Sequence, residues 1–321
     1  MSLAVIIIGR NEGDRLIRGL ASVQAASRII YVDSGSTDGS QDAAQTAGAE
    51  LVTLDMSQPF TAARARNAGL ERLRTHGARP DLVQLMDGDC ELQPDWLDAA
   101  QTFLTDHPDV GIVFGRRRER FPEATIYNRL CDWEWDVPMG EARACGGDAL
   151  MRMDALEAIG GYNPGLIAGE EPEMCVRMRA AGWKVWRIDA EMTWHDAAMT
   201  RLGQFWSRAR RAGHAWAEGA AMHGAPPEQH CVADVRRVLI WGLVVPIAIL
   251  LLALLTSPLA LMLFAVYPLR VLRMARRGGG RRIDWERAGL VVLGQFAEAA
   301  GVIEFHLRRL TSRPRGLIEY K

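Results

Sequence analysis

Residues 81–90 read D-L-V-Q-L-M-D-G-D-C, an apolar run that ends abruptly in two carboxylates separated by one glycine. Such a run predicts a buried strand that delivers Asp87 and Asp89 to the carboxyl edge of a sheet, where open α/β folds bind ligands. Hard cations bound to phosphates favour carboxylates at such an edge, and Gly88 leaves room for a diphosphate. The alternative is a simple Asp-Gly turn after a strand. The rest of the chain distinguishes these two interpretations.

Composition excludes several classes of protein. The chain has 321 residues, of which 49% are hydrophobic, so it is long enough to bury a sizeable core and disorder is not indicated. A formal net charge of -1 argues against a nucleic-acid binder that depends on phosphate contacts. The five cysteines show no C-x-x-C spacing, which predicts neither a zinc site nor a disulfide framework. The amino terminus enters a strand at once, and no secretory signal is visible.

The first third of the chain alternates β-rich and helical patterns, which predicts an α/β fold with a mostly parallel, doubly wound sheet. The predicted strands are Leu3–Ile8, Arg28–Val32, Leu51–Leu54 and Leu82–Met86. The predicted helices between them are Glu12–Ala25, Asp38–Ala47 and Thr61–His76. Polar loops follow the first two strands. Open α/β sheets bind ligands at the carboxyl ends of their strands, so we expect these loops to face a ligand. No G-x-G-x-x-G or G-x-x-x-x-G-K-[ST] follows the first strand, which disfavours a dinucleotide oxidoreductase or a P-loop enzyme.

Several motifs occur in a fixed order and together carry a family resemblance. They are V-I-I-I-G-R-N-E at Val5–Glu12, Y-V-D-S-G-S-T-D-G-S at Tyr31–Ser40, A-R-A-R-N-A-G-L at Ala63–Leu70, the D-G-D, G-G-D-A-L-M-R-M-D-A-L-E-A-I-G-G-Y at Gly146–Tyr162, G-E-E-P-E-M-C-V-R-M-R-A-A-G-W at Gly169–Trp183 and T-W-H-D at Thr193–Asp196. The ordered set resembles a family 2 glycosyltransferase of the bacterial polysaccharide type, with the GT-A nucleotide-sugar-binding fold. The resemblance covers residues 2–220, and it favours the D-G-D as a metal and diphosphate motif.

The resemblance implies a donor site at the strand ends. Its nucleotide-binding residues would be Gly9, Asn11, Glu12, Asp33, Ser36, Arg66 and Asp87. Asp33 would lie against the base, Glu12 near the base or ribose, and Arg66 near the nucleotide or diphosphate. The metal ligands would be Asp89, with Asp87 and His195 as further candidates, and the cofactor would be Mn²⁺ or Mg²⁺. A cation that bridges both phosphates neutralises the charge that develops on a diphosphate leaving group.

An inverting transfer also needs a base that takes the proton from the acceptor hydroxyl. Glu170 and Glu171 open a predicted helix that runs to Ala181. The alternative is that both carboxylates only stabilise the positive end of the helix dipole. The resembling family has Glu-Asp at this point and this chain has Glu-Glu, so the resemblance implies Glu171 as the base and leaves Glu170 open. Gly147, Asp148 and Trp194 are the acceptor-side candidates.

The composition changes after residue 200. A basic amphipathic helix, predicted over Arg201–Trp216, carries Arg208, Arg210 and Arg211 as candidate contacts to an anionic membrane or the acceptor. An apolar hairpin about 238–269, turning at Thr256–Pro258, is expected next, with a re-entrant hairpin or one tilted span as alternatives. A basic segment 270–282 and an interfacial helix about 286–310 follow. These features divide the chain into a GT-A catalytic domain, 1–220, and a membrane-associated helical region, 221–321.

The resulting prediction is a membrane-attached, metal-dependent, inverting glycosyltransferase of the hexosyltransferase type. Its donor would be a nucleotide-sugar, a UDP-sugar before a GDP-sugar, and its acceptor the hydroxyl of a lipid-linked glycan. Basic flanks on both sides of the hairpin place the catalytic domain on the cytoplasmic side of the cell inner membrane. Two alternatives remain open: transfer to polyprenyl phosphate, and a non-catalytic, membrane-anchored scaffold that binds nucleotide-sugars.

Overall fold

The structure, a computed structural model, describes residues 1–311 and contains two compact units. The sheet unit comprises Met1–Pro122 and Cys131–Ala198, and the helical unit comprises Glu123–Leu130 and the chain from Met199 onward. The helix after Ala198 belongs to the helical unit. The division into a catalytic domain, 1–220, and a membrane-associated region, 221–321, stays a prediction.

Nine strands and twelve α-helices are described. The strands are β1 Leu3–Gly9, β2 Arg28–Asp33, β3 Glu50–Thr53, β4 Leu82–Asp87, β5 Cys90–Leu92, β6 Val110–Glu119, β7 Gly140–Glu141, β8 Ala149–Arg152 and β9 Lys184–His195. The first seven helices are α1 Asp14–Ser22, α2 Ser40–Thr46, α3 Ala62–Thr75, α4 Trp96–Asp106, α5 Ile126–Glu134, α6 Met153–Ala158 and α7 Glu170–Ala180. The others are α8 Leu202–His223, α9 Val232–Leu239, α10 Val245–Leu255, α11 Val266–Gly278 and α12 Arg282–Leu310.

All strands join one mixed sheet in the order β3-β2-β1-β4-β8-β6-β9-β5, with β7 beside β9. The first four strands are parallel, as the alternating sequence predicted. Beyond them β8 runs antiparallel to β4 and β6, whereas β6 and β9 are parallel. The predicted α/β class is confirmed. The strands β1 and β4 are buried almost throughout, because their apolar side chains are covered on both faces of the sheet.

The topology creates a ligand edge at the carboxyl ends of β1, β2 and β4. Strand β1 lies between β2 and β4, so the chain leaves it towards one side and returns on the other. This reversal is the switch point at which open α/β sheets bind ligands. The amide of Gly88 donates to the carbonyl oxygen of Ile8 at 2.8 Å and holds the D-G-D turn beside the end of β1.

The helical unit contains three helical segments that are long and apolar enough to cross a membrane. They are Val232–Leu255, Pro258–Gly278 and Arg282–Leu310, judged by length and composition. The first includes a π-helical turn, Ile240–Val244, and the second begins with a 3₁₀ segment, Pro258–Ala265. The first two meet at Thr256 and Ser257, where the hairpin turn was predicted. The Tyr267 hydroxyl donates to the carbonyl oxygen of Trp241 at 2.6 Å and fixes the register of the two arms.

The third apolar segment, α12, differs from the other two in its burial. Half of its most apolar window, 50%, is buried within the protein, against 11% and 6% for the hairpin arms. It crosses α8 closely, since a Cβ at Gly213 would overlap the carbonyl oxygen of Glu298, and one at Gly301 that of Arg210. The interfacial position expected for residues 286–310 stays a prediction.

Gly115 gives a test of the β6–β9 packing. A Cβ at this position would lie 2.5 Å from the carbonyl oxygen of Ala190 and 2.8 Å from Trp96 Cζ3. We expect Gly115→Ala to lower the free energy of unfolding by about 1–3 kcal/mol, because two neighbouring groups must shift. The control is Gly146→Ala, whose Cβ would meet no atom within 4 Å. Thermal unfolding of the detergent-purified protein measures both variants, and equal midpoints would contradict this packing.

Candidate active site

The loops after β1 and β2 are joined by hydrogen bonds and form one surface at the ligand edge. The amide of Asn11 donates to Ser36 Oγ at 2.9 Å, and the amide of Thr37 donates to Asn11 Oδ1 at 2.7 Å. Asn11 adopts a left-handed backbone conformation, with φ 57°, which Asn tolerates better than most residues. Glu12 lies against the neighbouring turn, because a Cβ at Gly88 would come within 3.0 Å of its Cγ. Four of the predicted nucleotide-binding residues are therefore brought together here: Gly9, Asn11, Glu12 and Ser36.

Asp33 is fully buried and organises the loop that follows β2. Its Oδ2 accepts hydrogen bonds from the amides of Gly35 (2.9 Å) and Ser36 (3.0 Å) and from Gln41 Nε2 (2.7 Å). Burial alone would raise the pKa of Asp33, but the hydrogen bonds from Ser36, Gln41 and Gly35 outweigh it and lower the pKa. Asp33 is thus an ionised carboxylate, and its Oδ1 receives a longer bond of 3.3 Å from the Tyr31 hydroxyl.

Asp87 is held between two guanidinium groups. Arg66 Nη2 donates to its Oδ1 at 2.8 Å, and Arg117 Nη2 donates to its Oδ2 at 3.3 Å. Its amide donates to Asp148 Oδ1 at 3.1 Å. Gly147 passes directly over this group, and a Cβ there would lie 2.6 Å from Asp87 Oδ2. The first aspartate of the D-G-D is therefore fixed by both of its oxygens and by its backbone.

Asp89 immediately precedes β5 and lies beside His195, whose partner in the β5–β9 pair is Cys90. His195 Nε2 lies 3.3 Å from Asp89 Oδ1, and the amide of Asp196 donates to the carbonyl oxygen of Asp89 at 3.1 Å. Burial, followed by the charge of Arg117, lowers the pKa of His195 to about 4, so its imidazole is neutral at physiological pH. Its Nδ1 has no hydrogen-bond partner within residues 1–311.

The chemistry of these donors fits a divalent cation. Ligand atoms of Asp89, Cys90 and His195 lie within 4.8 Å of one another. A carboxylate oxygen and a neutral imidazole nitrogen suit Mn²⁺, whereas burial keeps the pKa of the Cys90 thiol well above its usual value and leaves it a poor ligand. Asp87, also predicted as a ligand, belongs to a neighbouring cluster with Cys90 and Asp148. Asp89 and His195 are accordingly the best placed donors.

The two glutamates at the start of α7 share one buried cation. Arg66 Nη1 lies 2.8 Å from Glu171 Oε1 and 3.1 Å from Glu170 Oε1. Burial, followed by the charge of Glu170, raises the pKa of Glu171 to about 7 against the opposing effect of Arg66. The Glu171 side chain is 14% exposed and that of Glu170 is 6% exposed. Glu171 is the more accessible of the two and can exchange a proton near neutral pH.

The acceptor-side candidates occupy different environments. Asp148 is fully buried, and its Oδ2 accepts from Arg117 Nε at 2.9 Å and from Thr193 Oγ1 at 2.8 Å. It therefore lies beneath Asp87 and supports its position, and its role towards an acceptor stays a prediction. Trp194, in contrast, is exposed next to His195.

The chain is similar to proteins of known family. Residues 4–159 match the family model described as Glycosyl transferase family 2. The match supports the resemblance to glycosyl transferase family 2 that the ordered motifs carry. A curated relative, the succinoglycan biosynthesis protein ExoA of Rhizobium meliloti (strain 1021), is 26% identical over 177 residues, which are 51% of this chain and 52% of that protein. The chain thus spans about half the length of the curated relative.

Solved structures share the fold of this chain. A mannosyltransferase from Pyrobaculum calidifontis, in complex with GDP-Man and Mn²⁺, is 20% identical with a TM-score of 0.66, covering 97% of this chain and 87% of that one. The glucosyl-3-phosphoglycerate synthase of Mycobacterium tuberculosis is 17% identical with a TM-score of 0.51, covering 70% and 81%. The predicted GT-A fold and family resemblance are confirmed.

Arg117 lies in the candidate site, and the sequence did not reveal it. It belongs to the run Arg116–Arg118 on β6, where register shifts against β9 lie on both sides of Arg116. These irregularities re-aim Arg117 towards Asp87 and Asp148, with Trp135 beneath its guanidinium at 5.4 Å. Trp135 also packs edge-on against His195, with ring centroids 4.6 Å apart. Arg117 and Trp135 therefore connect the two aspartates of the D-G-D.

The arginines predicted to contact the membrane or acceptor lie on α8 in the helical unit. Arg208, Arg210 and Arg211 are all partly buried. Arg210 Nε lies 3.7 Å from Glu304 Oε2 of α12. At least part of this basic face therefore has a protein partner, and its role towards lipid stays a prediction.

The Arg117–Asp148 pair can be tested against a neighbour on the same strand. Arg117→Met removes the cation that compensates a fully buried carboxylate, so we expect it to lower the free energy of unfolding by about 3–5 kcal/mol. Arg118→Met is the control, since Arg118 pairs with Glu191 at an exposed position and the loss should stay below about 1 kcal/mol. Thermal unfolding compares them, and similar losses in both variants would disprove the special role of Arg117.

Proposed function

We propose that this chain is an inverting glycosyltransferase that transfers a sugar from a nucleotide-sugar, with a divalent cation, to a hydroxyl of a lipid-linked glycan. One observation carries the proposal. At one edge of the sheet, a cation-binding pair, Asp89 and His195, lies beside an acidic helix start that Arg66 connects to Asp87. A metal-and-diphosphate side and a proton-accepting side thus meet at the same site.

The donor would bind across the loops after β1 and β2. Asn11 and Ser36 hold these loops together, and Asp33 offers an ionised carboxylate to a base N–H or ribose hydroxyl. The Pyrobaculum calidifontis structure contains GDP-Man and Mn²⁺, and a Mycobacterium tuberculosis synthase structure with a TM-score of 0.50 contains UDP and Mn²⁺. These complexes support a nucleotide-sugar as donor, which we propose to be a UDP-sugar, with a GDP-sugar as the alternative.

Asp89 and His195 would hold the cation, Mn²⁺ or Mg²⁺. When bound, the cation supplies Lewis-acid neutralisation of the diphosphate leaving group. Asp87 stays fixed by Arg66 and Arg117 and is suited to orient the ribose or a bound water. The neutral imidazole of His195 is available as a ligand without losing a proton.

Glu171 would act as the general base. The acceptor hydroxyl oxygen attacks the anomeric carbon, its proton passes to the Glu171 carboxylate, and the bond to the nucleoside diphosphate breaks. A base is most effective when its pKa lies near the working pH, and burial with the charge of Glu170 raises the pKa of Glu171 to about 7. Arg66 holds the carboxylate at 2.8 Å and limits its orientations.

The helical unit would attach the enzyme to the cell inner membrane, with the catalytic site at the cytoplasmic face. Three apolar segments are long enough to cross a bilayer, and arginines flank the hairpin at both ends. An acceptor on a lipid carrier would stay near the head-group layer, where attachment raises the effective concentration of the enzyme.

Two other functions would give different results for turnover and for the effect of Glu171→Gln. Polyprenyl phosphate is already ionised as an acceptor and needs no base, so Glu171→Gln would be nearly silent with it. A scaffold would bind nucleotide-sugar without any turnover. The raised pKa of Glu171 at the site favours transfer to a hydroxyl, because an ionised acceptor gains nothing from such a base.

The cation site is tested by Asp89→Ala. We expect this variant to lose turnover and Mn²⁺-dependent nucleotide binding, because the carboxylate donor is removed. Glu91→Ala is the matched control, since Glu91 lies two residues further along the chain and its carboxylate pairs with the guanidinium of Arg120. Nucleotide binding is measured by thermal shift with and without Mn²⁺, and retained Mn²⁺ dependence in Asp89→Ala would exclude this ligand.

The base is tested by Glu171→Gln and by the pH dependence of the transfer rate. We expect the wild-type rate to fall as the pH drops below about 7, because Glu171 then gains a proton and cannot accept another. Glu171→Gln should keep donor affinity, lower transfer by about 10²- to 10⁴-fold and lose this acid limb. Glu170→Gln is the comparison. A wild-type rate in Glu171→Gln with a loss in Glu170→Gln would move the role to Glu170.

A further inference from the structure

Aromatic rings and guanidinium groups alternate along one part of the helical unit. Arg237 Cζ of α9 lies 5.4 Å from the ring centroid of Trp216 on α8. Arg270 Cζ of α11 lies 3.7 Å from the ring centroid of Trp241 in the π-helical turn. Arg237 and Trp241 are four residues apart and share a helix face. We call these four residues, Trp216, Arg237, Trp241 and Arg270, the arginine–tryptophan ladder.

The ladder lies at the open end of the apolar hairpin. Arg237 immediately precedes the apolar run that begins at Val238, and Arg270 immediately follows the run that ends at Leu269. The turn at Thr256 and Ser257 is at the opposite end of the two arms. If the hairpin is inserted in a bilayer, both guanidinium groups reach the depth at which hydrocarbon gives way to phosphate head groups.

The positive charge of Arg270 has no acidic partner among the residues that the structure describes. Its Nη1 donates to the side-chain oxygen of Gln295 at 2.8 Å, and Gln295 is almost fully buried in α12. No carboxylate within residues 1–311 forms an ion pair with Arg270, while the like charge of Arg237 repels it. Arg237 itself pairs with Asp234 at 3.0 Å, where both side chains are more than two-fifths exposed, so the neutralisation is weak.

This arrangement orients the guanidinium of Arg270 without neutralising it. The Trp241 ring covers one face of the group, and Gln295 occupies one edge donor, which leaves further N–H donors of a planar fork. Such a fork matches a phosphate, to which arginine can donate two parallel hydrogen bonds. Basic side chains at the end of an apolar segment lie where anionic lipid head groups attract them. An anion between Arg237 and Arg270 would supply a counter-charge.

We propose that the arginine–tryptophan ladder binds the phosphate or diphosphate of a membrane-lipid head group. The proposal rests on the membrane attachment proposed above and does not involve the donor site. Arg270 and Arg237 contact the phosphate, and Trp241 and Gln295 hold Arg270 in position. The lipid chain runs along the hairpin, whose leucines, such as Leu251 and Leu254, are exposed. This apolar surface favours a lipid-borne phosphate over a soluble one.

The test uses full-length protein in uncharged detergent with dioctanoyl phosphatidic acid as the lipid probe and inorganic pyrophosphate as the soluble probe. Apparent affinities come from the shift of the thermal midpoint with probe concentration. We expect saturable stabilisation of the wild type by the lipid probe. Arg270→Gln and Arg237→Gln should each weaken it at least about tenfold, as expected for the loss of a charge-assisted contact. Arg270→Lys should give a partial loss, because it keeps the charge without the fork.

The control is Arg273→Gln, which makes the same change of net charge at an exposed position of α11 outside the ladder. We expect wild-type lipid affinity for this variant. Equal weakening in Arg273→Gln and Arg270→Gln would overturn the proposal in favour of diffuse surface charge. Equal saturation by pyrophosphate would overturn the lipid source. If Arg270→Gln does not fold, Arg270→Lys and Arg237→Gln decide the question.

Nucleotide binding with Mn²⁺, measured on the same samples, separates this site from the proposed enzyme function. It should be unchanged in all four variants. A wild type that binds the lipid probe and no nucleotide would leave the ladder standing and overturn the donor site. The reverse result, nucleotide binding without any lipid effect, would overturn the ladder alone.

Discussion

The buried guanidinium of Arg66 is the interaction on which the site depends. It lies between Asp87 at the end of β4 and the glutamates at the start of α7, and its side chain is 2% exposed. Removing this cation would leave carboxylates buried without compensation, which is among the most destabilising changes a protein interior can undergo. The same ion pairs connect Asp87 to Glu171, the proposed base, so the charge of one carboxylate affects the proton affinity of the other.

The sequence predicted the first half of the sheet and the ligand edge well. Apolar runs such as Val5–Ile8 form buried strands, and the polar loops after them converge because parallel strands end at the same edge. It could not predict Arg117. An arginine in an R-R-R run is equally compatible with a solvated strand, and only the irregular pairing of β6 with β9, a contact between distant residues, turns it inward. The buried position of Asp148 has the same origin, since it depends on partners from β6 and β9.

In the helical region, too, some features follow from the local sequence and others depend on contacts between distant residues. Hydropathy and the Thr-Ser-Pro interruption were enough to predict the hairpin and its turn. The close crossing of α8 and α12 was not predictable, because a glycine inside a helix usually signals only lower helix propensity. At Gly213 and Gly301 it instead removes the side chain that would keep the two backbones apart. Burial of α12 follows from this contact, and composition alone does not reveal it.

The position of the proposed cation site depends on the register of β5 against β9. His195 lies beside Asp89 because Cys90 and His195 are register partners, which brings the residue just before β5 next to the end of β9. Deleting or inserting one residue of β9 before His195 would shift the register by one position and turn the imidazole to the other face of the sheet. A change in the length of β9 before His195 would therefore disturb the proposed cation site more than a change of residue type in the same stretch. A variant with one residue more or fewer before His195 would keep both proposed metal ligands, Asp89 and His195, but would separate them.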